Sequence, residues 1–141
     1  MNAPSTPPTG YSGTPLVKKL GIKANIELCA LNAPDEYAAL VAPLPDGVRT
    51  VKKFAPSADL IHLFVTLRID LEDTLTAIRP KLKADGAVWV SWPKKASKAQ
   101  TDITEDTIRA VALPMGLVDI KVCAVDEKWS GLKLVIRKTL R

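Results

Sequence analysis

Residues 86–98 read GAVWVSWPKKASK, and this stretch decides the fold. Its first part, 87–90, is a short run of β-forming residues that predicts a buried strand. The strand is followed by a loop that carries Lys94, Lys95 and Lys98. In an open α/β sheet the carboxyl ends of the strands are where ligands bind. The stretch therefore predicts a strand inside a sheet and a cationic, aromatic-flanked candidate site at its end.

The composition indicates one globular domain. The chain has 141 residues, of which 47% are hydrophobic and 25% are charged, enough for one core and too few for two. The formal net charge of +5 suits an anionic ligand but falls well short of a nucleic-acid-binding tail. We therefore expect an anionic small molecule or a protein as the partner, and neither nucleic acid nor a membrane.

The N-terminus differs in composition from the rest of the chain. Residues 1–10 are rich in Pro, Ser and Thr, which predicts a disordered arm ahead of one domain over residues 11–141. The arm lacks the basic start and apolar run of a secretory signal, and no apolar run approaches the roughly 20 residues of a membrane span. We therefore expect a cytoplasmic protein in which Cys29 and Cys123 are reduced and buried.

Helix and strand signals alternate along the chain. The first helix is expected at residues 14–21, with Thr14 as the cap, Pro15 at the first helical position and Gly21 as the left-handed stop. The other helices are expected at 35–41, 68–83 and 104–116, with a kink or an early stop at Pro80. The strands are expected at 26–31, 48–54, 58–65, 87–92, 118–126 and 132–138.

This alternation predicts an α/β fold with a mostly parallel sheet and right-handed crossovers. The connection between the last two strands is too short for a crossover, so that pair must be antiparallel. We predict six strands, with helices on both faces and the last strand antiparallel.

Two sets of motifs resemble known families. Residues 75–90, with the pattern L-x-x-I-x-x-x-L-K-x-D-G-A-V-W-V, and the closing antiparallel pair resemble the Rossmann-like methyltransferases. A closer resemblance, over most of residues 10–141, is to a bacterial family of unknown function. Its motifs are GYSGTPL at 10–16, LNAP at 31–34, SWPKK at 91–95 and WSGLK at 129–133. The methyltransferase resemblance implies a single three-layer Rossmann-like domain with the strand order 2-1-3-4-6-5. In this order Cys29 lies on a central strand and Cys123 on an edge strand, too far apart for a disulfide. The family of unknown function brings no established activity.

The residues for the methyltransferase cofactor are missing. The turn after the first strand, 32–36, has a proline and no glycine, although a cofactor needs close backbone approach there. The second strand ends in Lys52, Lys53 and Phe54, where an acidic residue should bind ribose hydroxyls. We therefore expect no cofactor and a non-catalytic binding or regulatory module. A divergent S-adenosylmethionine-dependent enzyme is the alternative, and an RNA-binding module using the lysines of the loop and of the first helix is a weaker one.

The topology brings several polar and aromatic residues toward one carboxyl edge. The strand at 118–126 should run parallel to the strand at 87–92, so the turn after it lies beside the basic loop. Aromatic rings beside cations suit a ring-containing or phosphate-bearing ligand. The competing interpretations are a solvated basic loop and a tryptophan that covers the end of the sheet. The candidate ligand-binding residues are Asn32, Trp92, Lys94, Lys95, Lys98, Trp129 and Ser130.

Residues for nucleophilic or metal chemistry are sparse. His62 is the only histidine, it falls inside a predicted strand, and it has no adjacent nucleophile in the sequence. We interpret it as structural, because a catalytic triad would need such a partner. Two distant cysteines and one histidine do not make a metal-ligand cluster. We therefore expect no catalytic residue and no metal site.

Overall fold

The computed structural model describes residues 13–141, in which alternating strands and helices form one six-stranded sheet with helices on both faces. The predicted disordered arm, residues 1–10, lies outside the described residues. The strands are β1 (Glu27–Leu31), β2 (Arg49–Val51), β3 (Leu60–Phe64), β4 (Ala87–Pro93), β5 (Leu117–Ala124) and β6 (Trp129–Ile136). The helices are α1 (Leu16–Lys19), α2 (Tyr37–Leu40), α3 (Arg68–Ile78) and α4 (Glu105–Ala112).

The strand order is β2-β1-β3-β4-β6-β5, which confirms the predicted topology. Strands β1 to β4 pair in parallel, and β6 is antiparallel to both β4 and β5. The carboxyl ends of β1, β2, β3, β4 and β5 therefore point to the same edge of the sheet. No helix within residues 13–141 combines the length and the apolar character that crossing a membrane requires.

One face of the sheet is covered by α3 and α4. Their apolar side chains recur at helical spacing, so each helix presents one stripe to the sheet. The core on this face contains Leu71, Leu75, Ile78, Ile108 and Val111 from the helices and Ile61, Leu63, Val88, Val90 and Trp92 from the strands. Each fully buried leucine stabilises the fold by roughly 2 kcal/mol through removal of apolar surface from water.

The opposite face is covered by α1 and α2. Leu16, Val17 and Leu20 pack there against Trp89, which is fully buried as the sequence predicted. The indole N–H of Trp89 donates a hydrogen bond to the carbonyl oxygen of Leu20 at 2.9 Å. This bond satisfies the polar atom of the largest side chain in the core and fixes α1 against β4.

Gly21 ends α1 as predicted. Its φ of +77° is a left-handed conformation that a glycine adopts without steric cost. The N–H groups of Gly21 and Ile22 donate to the carbonyl oxygens of Lys18 and Val17, which is the Schellman arrangement. The start of the helix differs from the prediction, because Pro15 occupies the N-cap position and Leu16 is the first helical residue.

α3 ends early near Pro80, where the sequence predicted either a kink or an early stop. The α-helix ends at Ile78, and a 3₁₀ turn over Arg79–Lys81 follows. A proline inside an α-helix removes one hydrogen bond and clashes with the preceding turn, so the chain tightens there.

The largest differences from the predicted strand boundaries are in β2 and β6. β2 ends at Val51 instead of residue 54, because the eight residues 52–59 must return along the whole strand length to start β3 in parallel. β6 begins at Trp129 instead of Leu132, because the residues from Trp129 onward pair with the end of β4. The predicted hairpin turn is therefore shorter, and the segment from Trp129 to Gly131 belongs to the sheet.

The two cysteines are free and lie far apart. Cys29 on β1 packs into the core beneath α3 and α4, whereas Cys123 on β5 packs toward the α1 side. Three strands separate β1 from β5, which puts the two side chains on the order of 19 Å apart at the usual strand spacing. The predicted separation is confirmed, although Cys123 is only half-buried.

Candidate functional site

A pocket of about 440 Å³ opens at the carboxyl ends of β1 and β2. Its size is that of a cavity for a small ligand. Most of its wall is apolar and comes from the end of β1, from α2 and from the segment that follows α2. The polar residues on its wall are Asn32, Asp35, Thr50 and Lys52. The pocket therefore combines an apolar surface with a few polar groups, as ligand sites usually do.

The strand register explains why these side chains share the pocket. Leu28 pairs with Thr50, and successive side chains alternate between the two faces of a sheet. Thr50 and Lys52 therefore lie on the same face as Ala30, beneath α2. Asn32 follows β1 with a φ of +58°, a left-handed conformation that asparagine tolerates better than most residues. This conformation turns the chain out of the sheet and into the loop before α2.

A hydrogen-bonded chain of three side chains lies beneath the pocket. Tyr37 belongs to the pocket wall, and its hydroxyl is 2.9 Å from His62 Nδ1. His62 Nε2 is in turn 2.7 Å from Ser91 Oγ. The three residues come from α2, β3 and β4 and are all buried. Both ring nitrogens of His62 are thus used inside the fold, which agrees with its structural interpretation.

Burial keeps the hydrogen-bonded side chains of Tyr37, His62 and Ser91 uncharged. Burial of the imidazole lowers the pKa of His62 to about 3. Burial, and to a lesser extent the nearby Cys29, raises the pKa of Tyr37 far above its usual range. A neutral imidazole has one donor and one acceptor nitrogen, so one neighbouring hydroxyl donates to the ring and the other accepts from it. The ring is also stacked on Phe64, with 4.3 Å between the ring centroids.

His62 has no neighbouring nucleophile in the sequence, but the fold brings the hydroxyl of Ser91 to its ring. Ser91 lies on the neighbouring strand, and the parallel register of β3 and β4 brings its hydroxyl to the ring. The side chains of both residues are fully buried.

The basic loop lies apart from the pocket. Lys95 and Lys98 line a shallow depression of about 560 Å³ next to Gln100, Thr101 and Asp102. Lys94 joins the neighbouring turn through its backbone, since its N–H donates to the Lys128 carbonyl oxygen at 2.7 Å. The backbone of this loop therefore lies beside the β5–β6 turn, as predicted. Asn32 is not part of it, because β3 lies between β1 and β4.

The two tryptophans of the predicted site lie on opposite faces of the sheet. Trp92 is buried in the core under α3 and α4, and Trp129 is buried on the α1 side against Phe64, 5.0 Å between centroids. Ser130 pairs with Trp92 in the ladder and is half-buried. The predicted cleft walled by Asn32, Trp92 and Trp129 together does not form, since the register separates them. The competing interpretation, in which Trp129 covers the end of the sheet, matches its burial.

The sequence reasoning did not select Tyr37, Thr50 or the pocket wall contributed by α2. Thr50 and Lys52 are two residues apart, so the sequence indicates that they share one face of a strand. Only the register of β2 against β1 shows that this is the face of the pocket. Within residues 13–141, no three His, Cys, Asp or Glu side chains are grouped so that they could hold a metal ion.

Solved structures similar to this chain share its fold at low sequence identity. A SAM-dependent methyltransferase from Aquifex aeolicus is 12% identical, with a TM-score of 0.62, and the match covers 86% of this chain and 88% of that one. A protein of the NADB-Rossmann superfamily from Streptococcus agalactiae is 11% identical, with a TM-score of 0.56 and coverages of 92% and 71%. A fibrillarin pre-rRNA processing protein from Methanococcus jannaschii is 11% identical, with a TM-score of 0.55 and coverages of 82% and 68%. These likenesses establish a Rossmann-like, methyltransferase-like fold.

Sequence comparison gives one family and no individual relative. No curated protein sequence matches the chain. A family model described as "Protein of unknown function (DUF3052)" matches residues 63–138, from within β3 to the end of the sheet. The matched segment is more than half of the chain and includes the basic loop and the β5–β6 pair, whereas the pocket residues precede it. The chain therefore belongs to the DUF3052 family of proteins of unknown function.

Proposed function

We propose that this protein is a non-catalytic binding or regulatory module that takes an anionic small molecule into the pocket at the ends of β1 and β2. The observation that carries the proposal is the position of Lys52 on the wall of an otherwise largely apolar pocket. A lysine ammonium serves carboxylate and phosphate groups as a point charge. Lys52 forms no ion pair with any described residue, so its charge is available to a ligand.

The other polar groups suit the orientation of such a ligand. The Thr50 hydroxyl lies on the same strand face as Lys52, and the Asn32 amide lies where β1 ends. Both can donate to an anion. Asp35 on the same wall accepts hydrogen bonds, so the part of the ligand that reaches it should carry a hydroxyl or an amine. The apolar remainder of the wall favours a ligand with a hydrocarbon or ring portion.

We propose a non-catalytic role because the one buried histidine and its serine partner are not accessible from the pocket. The hydroxyl and imidazole that are paired with each other, Ser91 and His62, lie fully buried beneath the pocket. A general base has to come within hydrogen-bond reach of the proton that it removes. Among the described residues of the pocket wall there is no imidazole and no thiol.

Isothermal titration calorimetry with three probes tests the proposal: inorganic phosphate, AMP and hexanoate at constant ionic strength. We expect at least one to bind and Lys52→Ala to weaken that binding by about tenfold or more. Lys53→Ala is the matched control, because Lys53 is the next residue and lines a different depression beside Arg49. Absence of binding by all three probes, or equal losses in both variants, would reject the pocket as the site.

The alternative is a divergent S-adenosylmethionine-dependent enzyme, which the fold of the solved relatives favours. The residues at hand fit this cofactor poorly. The turn after β1 contains Pro34 and no glycine, and Lys52 stands where a carboxylate would accept ribose hydroxyls. Calorimetry with S-adenosylmethionine decides between the two proposals: binding to the unmodified protein supports the enzyme, and a clean negative supports the binding module.

The basic loop after β4 remains a second candidate surface for the same class of ligand. Lys95 and Lys98 are side by side on one depression, and Lys94 precedes them. If this loop holds the anion, Lys94→Ala combined with Lys95→Ala lowers the affinity measured for the best of the three probes, while Lys52→Ala leaves it unchanged. The weaker alternative, RNA binding through this loop and α1, predicts an affinity that falls steeply with salt.

A further inference from the structure

β5 is one edge of the sheet, and its outer side has no strand neighbour in the described part of the chain. Two aliphatic side chains on it are largely exposed: Ile120 at 57% and Val122 at 54%. An exposed edge strand offers backbone donors and acceptors to another chain, and natural proteins usually protect such edges. An apolar exposed edge therefore points to an interaction surface.

The surroundings of this edge are basic on one face. Lys121 lies between the two aliphatic residues, and it lines a groove of about 380 Å³ together with Lys18 and Lys19 of α1 and with Cys123. Thus α1 and β5 form the two walls of one groove. The groove extends along the side of β5 that faces α1.

A further lysine, Lys133, adds to the positive charge beside this edge. Lys133 pairs with Lys121 across the β5–β6 ladder. Its ammonium group lies beside Gly21, at the end of α1, 3.6 Å from where a Cβ atom on that glycine would be. Partial burial, and then Lys121 and Lys23, lower the pKa of Lys133. The carboxylate on β5, Asp119, is engaged on the other face by Arg109 at 3.0 Å. Lys121 and Lys133 therefore repel each other, and a negative charge placed beside them would offset this repulsion.

Three other occupants fit this edge less well. A second copy of β5 in antiparallel pairing would bring Lys121 toward its own counterpart, and the bulge between Asp119 and Lys121 interrupts a long ladder. Proteins that bind single-stranded nucleic acid usually stack its bases on exposed aromatic rings, and all three tryptophans of the chain are buried. Residues 1–12 contain no Asp or Glu and so bring no charge complementary to the lysines.

We propose that the edge of β5 over residues 121–124 binds an extended acidic segment of another protein, which adds to the sheet as a seventh strand. Backbone hydrogen bonds supply affinity in this mode, and alternate side chains supply specificity. Lys121 and Cys123 lie on the α1 face of the sheet, whereas Val122 pairs with Leu132 of the core beneath α3 and α4 and lies on that face. The partner strand therefore alternates acidic residues toward α1 with apolar residues toward Val122. This inference is independent of the pocket proposal.

Fluorescence anisotropy tests it with a labelled, end-blocked octapeptide of alternating Glu and Val. We expect this peptide to bind, and Lys121→Glu to weaken binding by about tenfold or more, because the variant sets like charges opposite each other. Lys81→Glu is the matched control, since Lys81 is exposed in the turn after α3, away from the groove. Lys52→Ala should leave the peptide affinity unchanged, which separates this surface from the pocket.

Hydrogen exchange on the intact protein gives the second measurement. Bound peptide should slow exchange of the backbone amides at residues 121–124, because it forms a new ladder there. The proposal is overturned if the Glu–Val peptide does not bind, or if a Lys–Val peptide or a 12-residue oligouridylate binds at least as tightly. It is also overturned if light scattering shows a dimer that Lys121→Glu dissociates, since the edge would then pair with itself.

Discussion

At the centre of the sheet, His62 uses both ring nitrogens inside the fold, with Tyr37 on one side and Ser91 on the other. Either neutral tautomer of the imidazole satisfies both neighbours, because each hydroxyl can donate or accept a hydrogen bond. The residue thus joins α2, β3 and β4 by side-chain hydrogen bonds. The bond to His62 also fixes the position of Tyr37, which is part of the pocket wall.

Protonation of His62 should destabilise the protein in mild acid. The pKa of His62 is about 3 in the fold, below the ordinary value of 6.5, so the unfolded chain binds the proton more readily. The contribution of neutral His62 to the free energy of unfolding is therefore fully present above pH 6.5 and is lost as the pH falls from 6.5 toward 3. Between pH 6.5 and 5.0 we expect the free energy of unfolding to fall by about 2 kcal/mol.

Urea unfolding at these two pH values measures this change. His62→Gln is the comparison variant, because glutamine keeps hydrogen-bonding groups but does not titrate. His62 is the only histidine, so the variant should lose most of the pH dependence in this window. An unmodified protein with the same free energy of unfolding at pH 6.5 and at pH 5.0 would contradict the prediction.

At the level of elements, the first turn of α4 shows how local sequence fixes a helix end. Thr104 Oγ1 accepts a hydrogen bond from the Thr107 N–H at 3.2 Å, and Thr107 Oγ1 accepts one from the Thr104 N–H at 3.2 Å. This reciprocal capping satisfies two backbone donors that the helix itself leaves unpaired. The helix then presents Ile108 and Val111 to the core.

Loss of the Thr104 side chain should therefore lower stability. We expect Thr104→Ala to reduce the free energy of unfolding by about 1 kcal/mol, which is the usual contribution of an N-cap side chain. Thr104→Ser keeps the hydroxyl and should stay close to the unmodified protein. Chemical denaturation of the three proteins checks this. An alanine variant as stable as the serine variant would show that the cap contributes nothing.

Whole elements were easier to predict than their ends. Proline, glycine and threonine mark the limits of α1, α3 and α4 by local chemistry, and the sequence contains that chemistry. The early end of β2 depends on how far residues 52–59 must travel back across the sheet, and the early start of β6 depends on pairing with β4. Both are long-range effects that a local pattern does not contain.

At the level of the whole molecule, the alternation of elements predicted the parallel strands, one short connection predicted the antiparallel pair, and the resemblance to the methyltransferase fold predicted the strand order. None of these predicted the candidate site. Asn32 was selected from its place after β1 and lies on the pocket. Trp92 and Trp129 were selected for the same edge, which they do occupy, yet the register turns them to opposite faces. Which face a side chain takes depends on a single residue of register, which the sequence alone does not reveal.

The sheet also separates the two thiols, and this leads to a prediction about their reactivity. Cys29 is fully buried on a central strand, and its burial, together with Glu27, raises the pKa of its thiol to about 11. Cys123 is half-buried on the edge strand, on the wall of the groove beside α1. Reaction with a thiol reagent needs both access and thiolate, and Cys29 has neither in the folded state.

We therefore expect 5,5′-dithiobis(2-nitrobenzoate) to label one thiol per chain in the native protein and two in denaturant. Cys123→Ser should abolish the native reaction and Cys29→Ser should preserve it. The protein prepared without reductant should likewise show two free thiols after denaturation, because three strands separate the sulfur atoms and a disulfide needs the two Cα atoms within about 7 Å. An intramolecular disulfide between Cys29 and Cys123 in the folded protein would be incompatible with the strand order β2-β1-β3-β4-β6-β5.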